Sequence, residues 1–147
     1  MSLVFNIALG RVASLAALPA ANDALIAVPI ETAGIVADSV MRDYDDLQTL
    51  LAGASNEQTT MGRKTLSGVT VTVDDTNDRV AVDAADIVWT GATGNPVSAI
   101  VICYDPDTTT GTDADLIPLT KHDWSVVPDG SDIAATVADF YRASSSA

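Results

Sequence analysis

The sequence predicts a mainly β protein of the α+β class: an antiparallel β-sandwich or partly open barrel with one or two short helices and an N-terminal arm. Three observations predict this fold. Apolar residues alternate with polar ones after residue 65, as on a strand with one buried face. Clusters of Gly, Pro and Asp separate these runs about every ten residues. Before residue 65 the apolar spacing is helix-like or mixed.

The length of 147 residues predicts one compact domain, since such a chain buries roughly two thirds of its unfolded surface. Changes in pattern divide it into segments. These are an N-terminal arm (1–20), a helical or mixed segment (21–65), a β domain (66–142) and a frayed tail (143–147).

The N-terminal half holds one clear helical pattern and two ambiguous stretches. Residues 3–18 are apolar and could form a strand, a helix or an extended arm. Residues 24–28 fit either a short helix or a strand with Pro29 at its edge, because proline lacks the N–H that a regular element needs. A helix is predicted from an Asp43 cap to a stop at Gly53, with Tyr44, Leu47, Leu50 and Leu51 on one face.

The C-terminal half reads as short strands joined by polar turns. The stretch 97–104 is apolar on both faces, which predicts a central strand covered on both sides. The other predicted strands are half-buried and span 69–73, 80–82, 87–90, 116–120, 124–127 and 133–137.

The net charge of −13 excludes several classes of partner. Nucleic-acid binding depends on Lys and Arg displacing counterions from phosphates, and only seven such residues are present. An anionic membrane surface would repel the chain for the same reason, and no apolar stretch approaches the roughly 20 residues of a membrane span. We therefore expect neither a nucleic acid nor a membrane as partner.

No combination of reactive residues predicts an enzyme. Cys103 is the only cysteine and lies in an apolar run, which favours a buried hydrophobic role. His122 is the only histidine and reads as a polar surface residue. Neither a zinc set, a nucleophilic triad nor a phosphate-binding loop can be assembled, so we expect no catalytic residues and no cofactor.

Four carboxylates in one polar loop form a weak candidate for a calcium site: Asp105, Asp107, Asp113 and Asp115. Calcium prefers several oxygen ligands on a loop that can fold around it. The spacing does not match the EF-hand pattern, and a solvated hairpin loop is the competing interpretation.

Large apolar side chains supply the interface candidates. Trp89 and Trp124 fit either core packing or interface anchors, since tryptophan is enriched at binding hot spots. The N-terminal segment offers a further apolar contact through Leu3, Val4, Phe5, Ile7 and Leu9.

Three stretches carry a resemblance to a known group of proteins. They are residues 63–78 (RKTLSGVTVTVDDTND), residues 101–107 (VICYDPD), and Trp124 with residues 128–133 (PDGSDI). They resemble small head decoration or minor capsid proteins of tailed phages of actinobacteria. These motifs are turn-and-strand patterns without catalytic signatures.

The resemblance implies a sandwich-like virion protein, made in the host cytoplasm, that forms a homotrimer and binds the major capsid protein on the capsid exterior. The acidic charge fits an outward-facing site, because the inner face of a head meets DNA. Two alternatives stay open: a tail or fibre β-module that binds a host receptor or glycan, and a calcium-dependent binding domain.

Overall fold

The computed structural model describes residues 2–53 and 55–145. The strands in these ranges are β1 (Leu3–Val4), β2 (Ala24–Glu31), β3 (Lys64–Thr65), β4 (Thr70–Asp74), β5 (Arg79–Asp83), β6 (Ile87–Trp89), β7 (Val97–Asp105), β8 (Ile117–Val126), β9 (Ile133–Ala135) and β10 (Tyr141–Ser144). The helices are α1 (Val12–Ala16), α2 (Asp38–Met41) and α3 (Leu47–Ala52), with 3₁₀ turns at Asn6–Ala8 and Asp113–Asp115.

The strands form three antiparallel groups. The main sheet has the order β1-β8-β7-β2-β3, the hairpin sheet has the order β10-β5-β4, and β6 pairs with β9 as a ribbon. The protein is mostly β, with 36% strand and 15% helix. This confirms the predicted α+β, sandwich-like class, although the described residues contain three short α-helices rather than one or two.

The main sheet is built around β7, as predicted from its two apolar faces. Val101 at its centre has no exposed surface, and β7 pairs with β8 on one side and β2 on the other. Residues 24–28, left open between helix and strand, belong to β2. Pro29 is tolerated in β2 because the β3 ladder covers only Ile26 and Ala27, and beyond it the Pro29 carbonyl accepts the Gln58 N–H at 2.9 Å without needing a proline N–H.

Strand β8 joins two predicted strands into one of ten residues. The sequence had predicted a gap at residues 121–123 and a strand that includes Pro118, although proline cannot donate to a ladder. The β7–β8 register shifts between Ile102 and Cys103, where Cys103 lies opposite Pro118. An irregularity of this kind lets the strand continue past the proline.

The N-terminal segment was predicted as an arm, but it packs on its own chain. Strand β1 pairs with β8, and the Phe5 N–H donates to the Leu119 carbonyl at 3.1 Å. Phe5 and Val12 have no exposed surface. The physical reason is that these side chains gain burial within the domain, which an extended arm would forgo.

The predicted helix is shorter than expected and begins later. Asp46, not Asp43, caps α3, its carboxylate accepting the Thr49 N–H at 2.7 Å. Gly53 ends the helix as predicted, and a Cβ there would clash with the Tyr44 hydroxyl.

No helix in the described ranges has the length and apolar character to cross a membrane.

Part of the predicted frayed tail (143–147) is hydrogen-bonded, and its residues 146 and 147 lie outside the described ranges. Residues 143–144 belong to β10, which pairs with β5, and the Ser145 N–H donates to the Asp78 carbonyl at 2.9 Å. The expected boundary at residue 66 is also not a boundary of the sheet, because β1, β2 and β3 from the first half share the main sheet with β7 and β8.

Candidate functional site

The first candidate is a groove beside the end of β8, here called the aromatic groove. Its volume is about 350 Å³. The buried side chains of Leu66, Ile87, Ile100 and Ile102 line it. Its other lining residues are Ser2, His122, Asp123, Trp124 and the segment 135–140, which includes Asp139 and Phe140.

A tryptophan pair supports the aromatic groove. The rings of Trp124 and Trp89 are 5.3 Å apart and tilted by 31°, a favourable aromatic contact. Trp89 is only 2% exposed, and its indole N–H donates to the Gly62 carbonyl at 2.9 Å. Its burial is inconsistent with the predicted role as an interface anchor, whereas half-buried Trp124 lines the groove.

His122 lies in this groove rather than on the open surface, where the sequence had placed it. Its Nδ1 lies 3.1 Å from Ser2 Oγ, and its Nε2 lies 2.9 Å from Thr120 Oγ1. The ring meets Phe140 edge-on, with centroids 6.1 Å apart. Burial and the neighbouring Lys121 charge lower the pKa of His122, so the neutral ring is favoured.

The opposite face of the main sheet carries ion pairs. Lys121, adjacent to His122 on β8, is 5% exposed, and its Nζ lies 3.0 Å from Asp38 on α2 and contacts Asp123. Successive residues of a strand point to opposite faces, so the Lys121 side chain leaves β8 on the face opposite His122, although its partner Asp123 also lines the groove. The Lys121–Asp38 pair attaches α2 to β8.

Arg63 forms the densest charged cluster. Its guanidinium donates to Glu57 at 2.7 and 2.8 Å and to Asp113 at 2.6 and 2.9 Å. These bonds hold the pKa of Asp113 below its usual value and raise that of Arg63. The cluster therefore joins the segment before β3 to the loop between β7 and β8.

The four calcium candidates do not converge on one point. Asp113 pairs with Arg63, and Asp115 accepts the Thr112 N–H at 2.8 Å within its own 3₁₀ turn. Asp107 accepts from the Thr109 N–H and hydroxyl, and Asp105 accepts from the Asp107 N–H. In residues 2–53 and 55–145, no group of three or more His, Cys, Asp or Glu side chains could hold a metal ion.

Cys103 is fully buried, as its apolar surroundings had predicted. Burial raises the pKa of its thiol, which disfavours the thiolate needed for nucleophilic or metal chemistry.

The second candidate is a row of apolar side chains on the hairpin sheet, here called the valine row: Val73, Val80 and Ala143. These residues lie opposite one another on β4, β5 and β10. Two positions along, on the same face, Val82 has no exposed surface and belongs to the core. The apolar face therefore continues past the core, where Val73 is 69% exposed.

The turn at the end of the valine row is held by its own hydrogen bonds. Asp74 accepts from the Thr76 and Asn77 N–H groups at 3.2 and 3.1 Å and pairs with Arg79 at 3.2 Å. Within the described parts of the chain, no hydrogen bond or ion pair engages the carboxylates of Asp75 and Asp78. The row thus ends at two unpaired acids.

The structure separates the predicted N-terminal contact residues. Phe5 is buried, which is inconsistent with its predicted interface role, while Leu3, Val4 and Ile7 are half-buried. Leu9 is 62% exposed. The prediction of a partner contact therefore stays open for Leu9 and, in part, for the half-buried residues.

Sequence reasoning missed the valine row because alternation alone placed Val73 on a half-buried face. The available signal was its position next to the Asp-rich turn, where a strand leaves the core.

Comparison with known protein families, curated proteins and solved structures finds no match for this chain.

Proposed function

We propose that this chain is a structural protein of a phage virion, a decoration protein that binds the outer surface of the head and stabilises it. The observation that carries the proposal is the valine row, an apolar sheet face extended beyond the core on a strongly acidic chain. Contiguous apolar surface is a feature of protein–protein contact sites, and the row supports a protein partner on this basis. Its proposed partner is the major capsid protein.

The charge supports the outer surface as the location. A net charge of −13 is repelled by packaged DNA, whereas an outer surface imposes no such penalty. This charge belongs to the whole chain and does not depend on the valine row.

Stabilisation of a head follows from linkage. A protein that binds the assembled shell but not its separated subunits lowers the free energy of the assembly by its binding free energy. Many weakly bound copies would therefore raise the temperature at which a head opens.

The experiment uses heads purified from a phage that lacks this protein. We expect added protein to co-sediment with the heads and to raise the temperature at which they release DNA, measured with an intercalating dye. Absence of co-sedimentation at micromolar protein, with no change in the release temperature, would refute the proposal.

A second candidate is a tail or fibre module that binds a receptor or glycan, and the aromatic groove favours it. Sugar rings stack on exposed aromatic faces, and Trp124 and Phe140 lie beside the polar side chains of His122 and Asp139. Glycan-array binding that disappears in Trp124→Ala but persists in Val73→Ala would support this function over decoration.

Self-association into a trimer stays a prediction. Sedimentation equilibrium of the purified chain measures it directly, since the trimer mass is three times 15.2 kDa.

A further inference from the structure

We infer that the free edge of β4, together with the valine row, accepts an extended strand from a partner whose surface combines apolar and basic side chains. The inference rests on the proposed function, because it names the surface and the chemistry by which the chain would bind a capsid.

The first step is the open edge. Strand β4 ends the hairpin sheet and pairs with β5 alone. In the described residues, no backbone hydrogen bond joins the other side of 70–74 to any segment. Unpaired N–H and C=O groups along an edge form a template for strand addition.

The second step is the side-chain surface beside that edge. Val73 is 69% exposed, while Val80 is half-buried. An added strand next to β4 would place alternate side chains on this face, since they project from a sheet with a period of two. Apolar side chains there would cover Val73.

The third observation is the charge beside the row, which indicates the kind of partner that binds there. Asp75 and Asp78 lie beside the row, and both line the same shallow depression as Val73, Val80 and Arg79, whose charge is paired with Asp74. A second copy of this chain would bring another net charge of −13. A partner with Lys or Arg beside its apolar strand gains attraction instead, so the basic partner is favoured.

The turn geometry favours binding without rearrangement. Asp74 holds Thr76, Asn77 and Arg79, and Asp78 is anchored through its carbonyl to Ser145. A surface that is already ordered loses little conformational entropy when it is covered.

The test compares two valines with the same exposure. Val73 and Val127 are each 69% exposed, but Val127 lies outside the hairpin sheet. We expect Val73→Asp to weaken binding to protein-free heads by at least about tenfold, and Val127→Asp to change it by less than about twofold. Val73→Ala, which adds no charge, should weaken binding in the same direction.

Two further measurements probe strand addition and charge. Hydrogen–deuterium exchange should slow at the amides of 70–74 when heads are added. The double variant Asp75→Asn with Asp78→Asn should bind more weakly and with a shallower salt dependence, because rim charges contribute attraction that salt screens.

The outcomes separate this inference from the proposed function. If the wild-type chain binds heads and Val73→Asp binds equally well, the inference is overturned and decoration stands. If the wild-type chain does not bind heads, both are overturned. Self-association that requires Val73 and occurs without heads would also overturn it, because the occupant would then be a second copy.

Discussion

The main sheet and the hairpin sheet use the same residue type in opposite ways. Val101 on β7 has no exposed surface, whereas Val73 on β4 is 69% exposed. Strand β7 has a partner on each side and apolar residues on both faces, while β4 ends a sheet of three strands. Position in a sheet, rather than residue type, therefore decides whether a valine contributes stability or contact surface.

The difference predicts where the free energy of unfolding resides. Burial stabilises a side chain in proportion to the apolar area it removes from water. Most residues of β2 and β7 in the main sheet remove nearly all of theirs, and the outer end of the hairpin sheet removes little. The hairpin sheet is therefore free to vary its surface without loss of the fold.

The largest expected effect comes from truncating a core side chain of the main sheet, compared with an exposed side chain of the hairpin sheet. Leu25 on β2 has no exposed surface, so Leu25→Ala should lower the free energy of unfolding by about 2–5 kcal/mol. Val73→Ala should change it by less than about 0.5 kcal/mol, because the side chain is already exposed. Urea denaturation followed by circular dichroism measures both, and equal losses would remove the contrast between the sheets.

The next largest effect is expected from removing an arginine charge beside each sheet: Arg63 next to the main sheet and Arg79 in the hairpin sheet. Arg63→Met should cost about 1–3 kcal/mol, because it leaves Glu57 and Asp113 without their charged donor. Arg79→Met breaks only one hydrogen bond, from Arg79 Nε to Asp74 at 3.2 Å, so its loss should be smaller. The same denaturation series tests this, and a larger loss for Arg79→Met would contradict the proposed role of the Arg63 cluster.

Some of this architecture could be predicted from the sequence, because local pattern and environment agree there. Strand β7 is apolar on both faces and is central, and the turn after Val73 carries the Asp and Asn residues that turns favour. The α+β class and the burial of Cys103 followed from the same agreement.

Other features depend on partners distant in sequence. His122 is half-buried because Phe140 packs against its ring, and Arg63 meets Asp113, fifty positions away. Strand β10 exists through its pairing with β5, although its own residues alternate only weakly. No local pattern encodes such contacts, so the groove and the ion-pair cluster emerged only in three dimensions.

A series of unfolding measurements at different pH values tests whether the Arg63 cluster, beside the main sheet, stabilises the fold. Arg63 lowers the pKa of Asp113 in the folded chain, so the carboxylate stabilises the fold above its unfolded pKa of about 4. That stability is lost as the pH falls through the lower, folded value. The difference in unfolding free energy between wild type and Asp113→Asn should therefore shrink below about pH 4.

The control for that series is the Arg63→Met background. Without the guanidinium, Asp113→Asn should produce no further change with pH. Parallel curves for wild type and Asp113→Asn between pH 5 and pH 2, chosen to bracket the carboxyl titration at about pH 4, would show that the ion pair does not stabilise the fold.

The smallest expected effect concerns His122. It tests whether the end of β8 excludes water as the rest of the main sheet does. Burial and Lys121 lower the pKa of His122, so the fold favours the neutral ring. The resulting stability is complete above the unfolded pKa of about 6.5 and is lost as the pH falls towards the lower, folded value. His122→Asn should remove this pH dependence while leaving that of the carboxylates.

Proton NMR measures the same quantity directly, because His122 is the only histidine in the sequence. Its ring signals should titrate below about pH 6.5, and Lys121→Met should raise the midpoint by removing a nearby positive charge. Burial contributes more than Lys121 to the shift, so the midpoint in that variant should stay below the value of an exposed histidine. A wild-type midpoint at that exposed value would mean that water enters the aromatic groove freely, and the end of β8 would then resemble the hairpin sheet.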